Sequence, residues 1–478
     1  MRVGDRTRAW GIAAGAFVVY SLWSLLRYWR LQTAGYDLGI FDQVVRAYSQ
    51  FRAPIVTLKG DAFNIWGDHF HPILMLLAPF YWIWDDPRVL LLAQAALVAL
   101  SVPIVYGFAR RRMSARWTTW LTLGYAFSWA IQTMINFDFH EIAFGIPLIA
   151  LAADALDRRR DGVLLGAAAA LLFVREDMGM VVMLLGLLRV FRKPRWPGIV
   201  LLVVGPVAFV VILRVILPAF SPTGEFAYWA YDALGPDAPS AIIAMITRPF
   251  HTITLFFWPP IKLGTFAMIF APVLFLSFRS PLVILSAPIL AQRFFASREN
   301  LWQPSFHYNA PIWVIAVLAA ADAIGRLPES WRARSQAWLA GTMAALALVP
   351  TIVQVPVMPF RDLVNGKAYV WPWLTYDRAA IIAAVPPGTC VSADDRIADK
   401  LVRTNRVTLP GLTARPPDFL ALDLTQDTVG TTPTPYPMSL WGIALANGWE
   451  TVARSGPVVL LRNPDFAGPS AQCGPGAP

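Results

Sequence analysis

From about residue 10 to residue 356 the chain alternates long apolar runs with short charged breaks. Crossing a bilayer takes about twenty apolar residues, fewer where a helix is short or kinked. On that measure the pattern predicts spans at 10–28, 88–109, 116–135, 142–157, 162–175, 178–191, 197–217, 263–278, 281–296, 310–325 and 337–356, about eleven in all. Segments 72–84 and 240–258 are apolar but short and broken by Pro or charge, so they read as re-entrant or interfacial helices. The first run is too long for the apolar part of a cleaved signal and follows Arg2, Arg6 and Arg8. It reads as a signal anchor with its N-terminus inside.

Charge tests this reading. Counting from an inside N-terminus, the clusters RRR 110–112, DRRRD 157–161, RVFRKPR 189–195 and RLPESWRAR 326–334 all become cytoplasmic, as the positive-inside tendency requires. The other side receives the loop 29–87, NFDFHE 136–141, RED 175–177, the loop 218–262, RENLWQPSFHYN 298–309 and everything after about 357. All five histidines, His69, His71, His140, His251 and His307, lie in that second set.

The pattern changes near residue 376. TCVSA, RVTLP and DFLALDL read as strands, DRIADKLV and 438–447 as helices, and WETVARSGPVVLLRN as a strand pair. The expected fold is thus a polytopic α-helical membrane protein: a transmembrane domain 1–356 with a first exoplasmic loop 29–87, then a small exoplasmic α/β domain 357–478. The last dozen residues are expected to be disordered.

Composition agrees with a membrane protein. The chain of 478 residues is 56% hydrophobic and 15% charged, with a mean hydropathy of +0.51, too little charge to cover a soluble surface. Its 20 tryptophans and 29 phenylalanines suit two aromatic membrane interfaces. The net charge of +10 sits in tight clusters between apolar runs, which argues for loops at a membrane surface and against a nucleic-acid partner. No Gly-rich phosphate loop is present, so dinucleotide binding is unsupported. The two cysteines, Cys390 and Cys473, flank the strands of the C-terminal domain; on the oxidising side they are expected to pair, with free thiols as the alternative.

The chemistry gathers at the exoplasmic face. In YDLGIFDQVVRAYSQ, Leu38, Phe41, Val45 and Tyr48 share one helical face, which predicts an amphipathic helix on the membrane surface. Asp37 would open that helix, either as a cap favoured by its dipole or as an active-site acid. Asp42 lies roughly 140° around the axis from Asp37 and is placed to pair with Arg46 four residues on. GDHFHP brings Asp68, His69 and His71 together, a set able to bind phosphate or, if the wider Asp/His cluster converges, a divalent metal. FDFHE sets Asp138, His140 and Glu141 between two spans with almost no loop, where ionisable groups are costly unless they face water or a polar cavity. Arg175, Glu176 and Asp177 repeat that situation, or form a self-neutralising turn. Arg293, Arg298, Glu299 and His307 add to the same level.

These motifs, D-L-G-I-F-D-Q at 37–43, H-F-x-P at 69–72, F-H-E at 139–141, E-D at 176–177 and H-Y at 307–308, resemble a bacterial and archaeal membrane-protein family known as domain of unknown function 2079. That family is similar to the GT-C superfamily of multi-spanning glycosyltransferases. The resemblance implies a polyprenyl-phosphate-linked sugar as donor, a cell-envelope glycan or protein as acceptor, and a place in the bacterial plasma membrane. It implies an essential acid in the first exoplasmic loop, the position of Asp37. From their common level at the exoplasmic face, Asp42, His69, His71, Asp138, His140, Glu141, Arg175, Glu176, Asp177, Arg293 and His307 are expected around the substrate. No cofactor follows from the resemblance. The chain departs from the better-known GT-C enzymes in lacking a plain paired Asp-Glu motif and in its many histidines. The rival reading is a lipid or solute transporter or flippase; against it, the chain shows no inverted repeat and its polar groups cluster at one face.

Overall fold

A computed structural model describes residues 2–225, 229–355, 357–413, 415–426 and 436–473. Helices occupy every apolar run, but with more breaks than the pattern suggested. Helix α1 (Val3–Trp29) packs on α4 (Arg88–Arg110), reached through α2 (Ile40–Ser49) and α3 (Ala78–Ile83). Next come α5 (Ala115–Ala126), α6 (Trp129–Asn136), α7 (Ile142–Asp157), α8 (Asp161–Leu172), α9 (Met178–Val190) and α10 (Trp196–Val211), the last running on through a π turn into α11 (Leu217–Phe220). Among the described residues, five helices are long and apolar enough to cross a membrane: Val3–Trp29, Arg88–Arg110, Trp196–Phe220, His307–Arg326 and Glu329–Ile352.

Several expected spans are interrupted. The stretch 116–135 breaks between α5 and α6 at Phe127 and Ser128. The stretch 263–278 holds only α14 (Pro260–Phe270); the chain then turns at Leu274 and Phe275, both with positive φ, just past Pro272, which has no N–H for a helix to use. The stretch 281–296 opens as a 3-10 turn before α15 (Ala287–Phe294). The segment 240–258 folds into α12 (Ala238–Thr247) and α13 (Pro249–Phe257), bent by 107° at Pro249, the form of a broken span or a re-entrant loop.

One end of the bundle gathers the arginine clusters. Asp5 binds Arg110 at 3.1 Å. Arg111 bridges to Asp154 and Asp157, and Arg112 to Asp157 and Asp322. Arg189 pairs with Asp161, and the Arg192 guanidinium donates to the Leu156 carbonyl. The N-terminus and all four Arg-rich clusters therefore share one face. Helix α8, with 12 residues, rises about 18 Å from that face, well short of the ~30 Å hydrocarbon layer. The turn 173–177 at its far end thus lies about 18 Å along this helix from the arginine-rich face.

After α16 (Glu299–Trp302), α17 (Ala310–Arg326), α18 (Glu329–Ile352), α19 (Arg361–Val364) and α20 (Trp373–Ala384), the chain forms a five-stranded sheet. Its strands are β1 (Cys390–Ala393), β2 (Arg406–Thr408), β3 (Phe419–Asp423), β4 (Glu450–Ser455) and β5 (Val458–Arg462), in the order β2-β1-β3-β5-β4. The first three are parallel and joined through α21 (Asp395–Leu401); β5 runs antiparallel to both β3 and β4, with α22 (Pro437–Ala446) preceding β4. Every strand and helix expected there is present. Cys390 and Cys473 are joined by a disulfide with Cα atoms 4.6 Å apart, so residues 467–473, expected to be disordered, are tied back to β1 and end in a 3-10 turn; the rest of the last dozen residues lies outside the described ones.

This two-ended arrangement, combined with the positive-inside tendency, makes the orientation testable. A reporter that is active only after export is expected to work when fused after residue 357 and to fail when fused after residue 160. The opposite result would turn the histidine-rich end toward the cytoplasm.

Candidate active site

Asp37 stands in a π-helical turn, Gly35–Gly39, between α1 and α2. The turn is held against α21 from below. The Tyr36 N–H donates to Asp395 Oδ1 at 2.7 Å, and a Cβ on Gly35 would lie 2.7 Å from Ala398 Cβ. A Cβ on Gly39 would lie equally close to Leu58 Cδ1, the movable end of a leucine, so the close approach demands glycine at 35 and only favours it at 39. Thr33 Oγ1 donates to Asp399 at 2.6 Å, and Arg378 and Thr375 bind the Leu31 and Arg30 carbonyls. The α/β region thus fixes the backbone that presents Asp37. Helix α2 follows with Ile40, Phe41, Asp42, Val44, Val45, Arg46, Ala47 and Tyr48 all buried. The expected surface helix is therefore covered on both faces, by the segments 57–59 and 72–83, and does not lie open to the bilayer.

Asp37 reaches His140, with Oδ1 3.4 Å from Nε2. His140 stacks on His307, ring centroids 3.8 Å apart and planes at 24°. Phe137, Phe41 and Tyr308 close around the two imidazoles. Gln94, buried in the middle of α4, holds the loop that carries His140. Its amide nitrogen donates to the carbonyls of Met134, Phe137 and Asp138, and its oxygen accepts the His140 N–H at 3.0 Å. Burial opposes a proton on His140, and Asp37, Glu141 and Asp138 outweigh it, so its pKa is raised.

A second group adjoins this one. His71 lies against Phe41, the ring that also touches His140. His69 Nδ1 is 2.8 Å from Glu176 Oε1, and the Phe70 N–H donates to the other oxygen of the same carboxylate at 3.2 Å. Arg175 makes a two-point contact with Asp177 and lies 3.4 Å from Glu141. Burial works against the charge on His69, but the Glu176 and Asp68 carboxylates lift its pKa to about 9. Burial likewise raises Glu176, and His69 with Arg175 more than offsets it, down to about 2. The Asp37 side chain is 25% exposed and that of His69 36%, whereas Glu141, Glu176 and Asp177 are buried. An incoming molecule meets Asp37 and His69 first.

Not every expected residue joins this group. Asp138 is consumed by Arg27 at 2.6 Å and by the Ala34 N–H at 2.7 Å, where it ties α1 and the chain entering the Asp37 turn to the His140 loop. Asp42, 1% exposed, binds Arg46 at 3.1 Å and accepts from the Tyr81 hydroxyl at 2.7 Å; Arg46 also binds Asp85. These partners make it a structural ion pair inside the first loop. Arg293 donates to the carbonyls of Leu301 and Tyr308 and to Asn309, so it braces the 297–309 loop from α15. The set Asp37, His69, His71, His140, Glu141, Arg175, Glu176, Asp177 and His307 remains in one contiguous patch. For a metal, the described residues bring three ligand atoms within 4.8 Å only at Cys390, Asp418 and Cys473, whose two sulfurs are already bonded to each other. The Asp/His cluster as placed does not converge on an ion.

Sequence reasoning missed Gln94, Lys59 and Asp395. A lone amide within the run LLLAQAAL was the available signal for the first. Lys59, paired with Asp68 and lying 5.5 Å from the Tyr36 ring centroid, and Asp395 depend on contacts across the chain that no local pattern carries.

A family model described as predicted membrane protein DUF2079 matches residues 27–427. The chain belongs to the DUF2079 family. No protein of curated function matches it. Among solved structures, ArnT from Cupriavidus metallidurans bound to undecaprenyl phosphate is similar over 96% of this chain and 98% of that one, with 13% identity and a TM-score of 0.54. The same protein in its apo state gives 0.50 at the same identity and coverage. At that identity the likeness establishes a shared fold. It runs from end to end, through the helical bundle and the C-terminal sheet of this DUF2079 member.

Two measurements test the site's construction. Gln94→Leu leaves the His140 N–H and neighbouring carbonyls buried without partners, so a loss of about 1–3 kcal/mol in unfolding free energy is expected. His69 titrates in the folded state near 9 against an ordinary 6.5, so its stabilising contact is complete below 6.5 and lost as pH rises through 9. The stability difference between the native protein and Glu176→Gln should therefore narrow over that range. A gap that stays constant with pH would show that His69 carries no charge there.

Proposed function

We propose that this DUF2079 protein is a membrane glycosyltransferase that moves a sugar from a polyprenyl-phosphate donor to an acceptor in the cell envelope, with its site on the exoplasmic side. The observation that carries this reading is Asp37: a partly exposed carboxylate on a braced turn after the first span, at the edge of a largely buried patch of imidazole and guanidinium groups. The likeness in fold to a protein bound to undecaprenyl phosphate supports it. A lipid phosphate is an anion, and the turn after α8 brings the Arg175 guanidinium to the same patch as Asp37 and His69.

The chemistry follows from the residues. Asp37 accepts the proton of the acceptor hydroxyl as its oxygen bonds to the anomeric carbon. The bond from that carbon to the phosphate oxygen breaks, and the lipid phosphate leaves with the electron pair. A direct displacement of this kind inverts the anomeric centre. His69 and Arg175, each already paired with a carboxylate, offer N–H donors rather than net positive charge to the leaving phosphate. Apolar helices flanking the site accommodate the prenyl chain.

Asp37→Asn is expected to keep the fold and the binding of undecaprenyl phosphate, read by native mass spectrometry. It should lower release of undecaprenyl phosphate from a panel of its sugar conjugates, assayed with envelope membranes, by about 10²–10⁴-fold. Asp42→Asn should lower stability and leave release nearly intact. Full release by the Asp37 variant would sink the assignment, and a strong loss confined to Asp42→Asn would reverse it.

A further inference from the structure

Behind Asp37 stands a feature that proton abstraction alone does not require. His140 and His307 are 9% and 3% exposed, and the Nδ1 of each is buried without a partner. Their rings stack at 3.8 Å inside the aromatic cage of Phe41, Phe137 and Tyr308. Two imidazolium ions cannot share that separation in so dry a place, because like charges oppose one another and burial opposes each. One positive charge on the pair is permitted, and Asp37 Oδ1, 3.4 Å from His140 Nε2, is placed to receive it. That distance is long for a hydrogen bond, as contacts between catalytic groups often are before substrate binds.

The surroundings leave Asp37 as the acid that decides. From its own loop His140 faces Asp138, already taken by Arg27 and the Ala34 N–H, and Glu141, which Arg175 shares. Around His307 the charged groups are Arg175, from the turn after α8, and Arg293 of α15, with the Tyr308 ring centroid 4.0 Å from its own. Positive charge thus lies behind His307 and negative charge before His140. A proton on the pair is driven to the His140 end.

We infer that His140 and His307 form a one-proton pair that serves Asp37: His140 is the positioning residue that aims the carboxylate through a charged contact, and His307 sets the pH at which the charge on His140 is lost. The inference rests on the reading of Asp37 as the base. It adds a regulation of that base by pH, residing in two residues that need not touch the sugar. Titrations so coupled belong to the group as a whole, and substitution of one member moves the others.

The test uses the full chain in lipid nanodiscs, with histidine labelled by nitrogen-15. Five imidazoles make the spectrum assignable by single substitutions. Titrated from pH 5 to 9, Asp37→Asn should lower the protonation midpoint of His140 by about one unit or more. His307→Phe, which keeps an aromatic ring in the stack, should raise it. Release of undecaprenyl phosphate should fall at alkaline pH in the native protein. His307→Phe should move that limb upward, while His140→Gln should remove it. A purely structural pair would lower rates equally at every pH. If no sugar conjugate of undecaprenyl phosphate is consumed, the transferase reading fails, and the nuclear titration still decides the coupling. A His140 midpoint that is the same with Asp37 and with Asn in its place overturns the inference, whatever the turnover.

Discussion

The contact between α21 and the Asp37 turn is the constraint on which the site depends. A π turn buried at Gly35 and Gly39 exposes backbone groups that must find partners inside the protein. Asp395 accepts the Tyr36 N–H, Asp399 accepts from Thr33, and Lys400 donates to Thr33 while lying 3.1 Å from the Tyr28 ring centroid. Arg396 adds a bond to the Gln32 carbonyl. The arrangement is not free of cost. Burial, with Asp37 adding to it, lifts the Asp395 carboxyl to about 7 against the Tyr36 hydrogen bond. A carboxyl raised in the folded state loses stability as pH climbs from its ordinary 3.8 toward 7. The fold tolerates this expense to hold one backbone turn in place. The C-terminal sheet is thus a part of the site's scaffold, although it lies more than 350 residues along the chain from Asp37.

Depth is the second constraint. Helices α8 and α9 have 12 and 13 residues, so the hairpin they make reaches about 18–20 Å from the arginine-rich end. Ionisable groups on the turn between them are costly at that depth unless they face one another or a polar space. They do both. Arg175 is neutralised by Asp177 and Glu141, and Glu176 by His69, a residue of the first loop. The first loop and the short hairpin hold one another down: the Ile73 N–H also donates to the Phe173 carbonyl at 3.1 Å. A floor of paired charge forms below the opening where Asp37 stands.

Much of this was legible in the chain. The apolar runs and the Arg clusters between alternate runs gave the helices and the common face of Arg110, Asp157, Arg189 and Arg326. Period-two strands and their intervening helix gave the C-terminal sheet. Asp42 and Arg46, four residues apart, announced their pair. The illegible parts share one physical cause: they are contacts between segments distant in sequence. Nothing local separates Asp138, which a buried Arg27 from α1 takes, from His140 two residues on, which faces Asp37. Arg293 carries the right charge for an anion, yet three acceptors of the following loop use its donors. The breaks at Phe127 and at Leu274 also escaped, since hydropathy reports which residues avoid water and says little about where a helix must stop.

What remains is why the protein keeps imidazoles where a hydrophobic ring would pack. Burying a polar nitrogen without a partner costs about 1–3 kcal/mol, and His71, His140 and His307 each bury one. Phenylalanines already surround them, so a fourth or fifth aromatic ring would fit the same cage and remove that cost. Structural polar residues nearby show the contrasting behaviour: Gln94, Asp138 and Arg293 each spend their hydrogen-bonding groups on named partners in the protein. Sequences that fold well break such local rules chiefly where function demands it. Phe41 touches His71 and His140, Phe137 touches His140 and His307, and Asp37 meets His140, so three of the unsatisfied nitrogens among the described residues gather here. Stability alone would favour a hydrophobic ring at each of these positions, which supports the proposal that this patch, and not the better-satisfied polar groups around it, serves the chemistry.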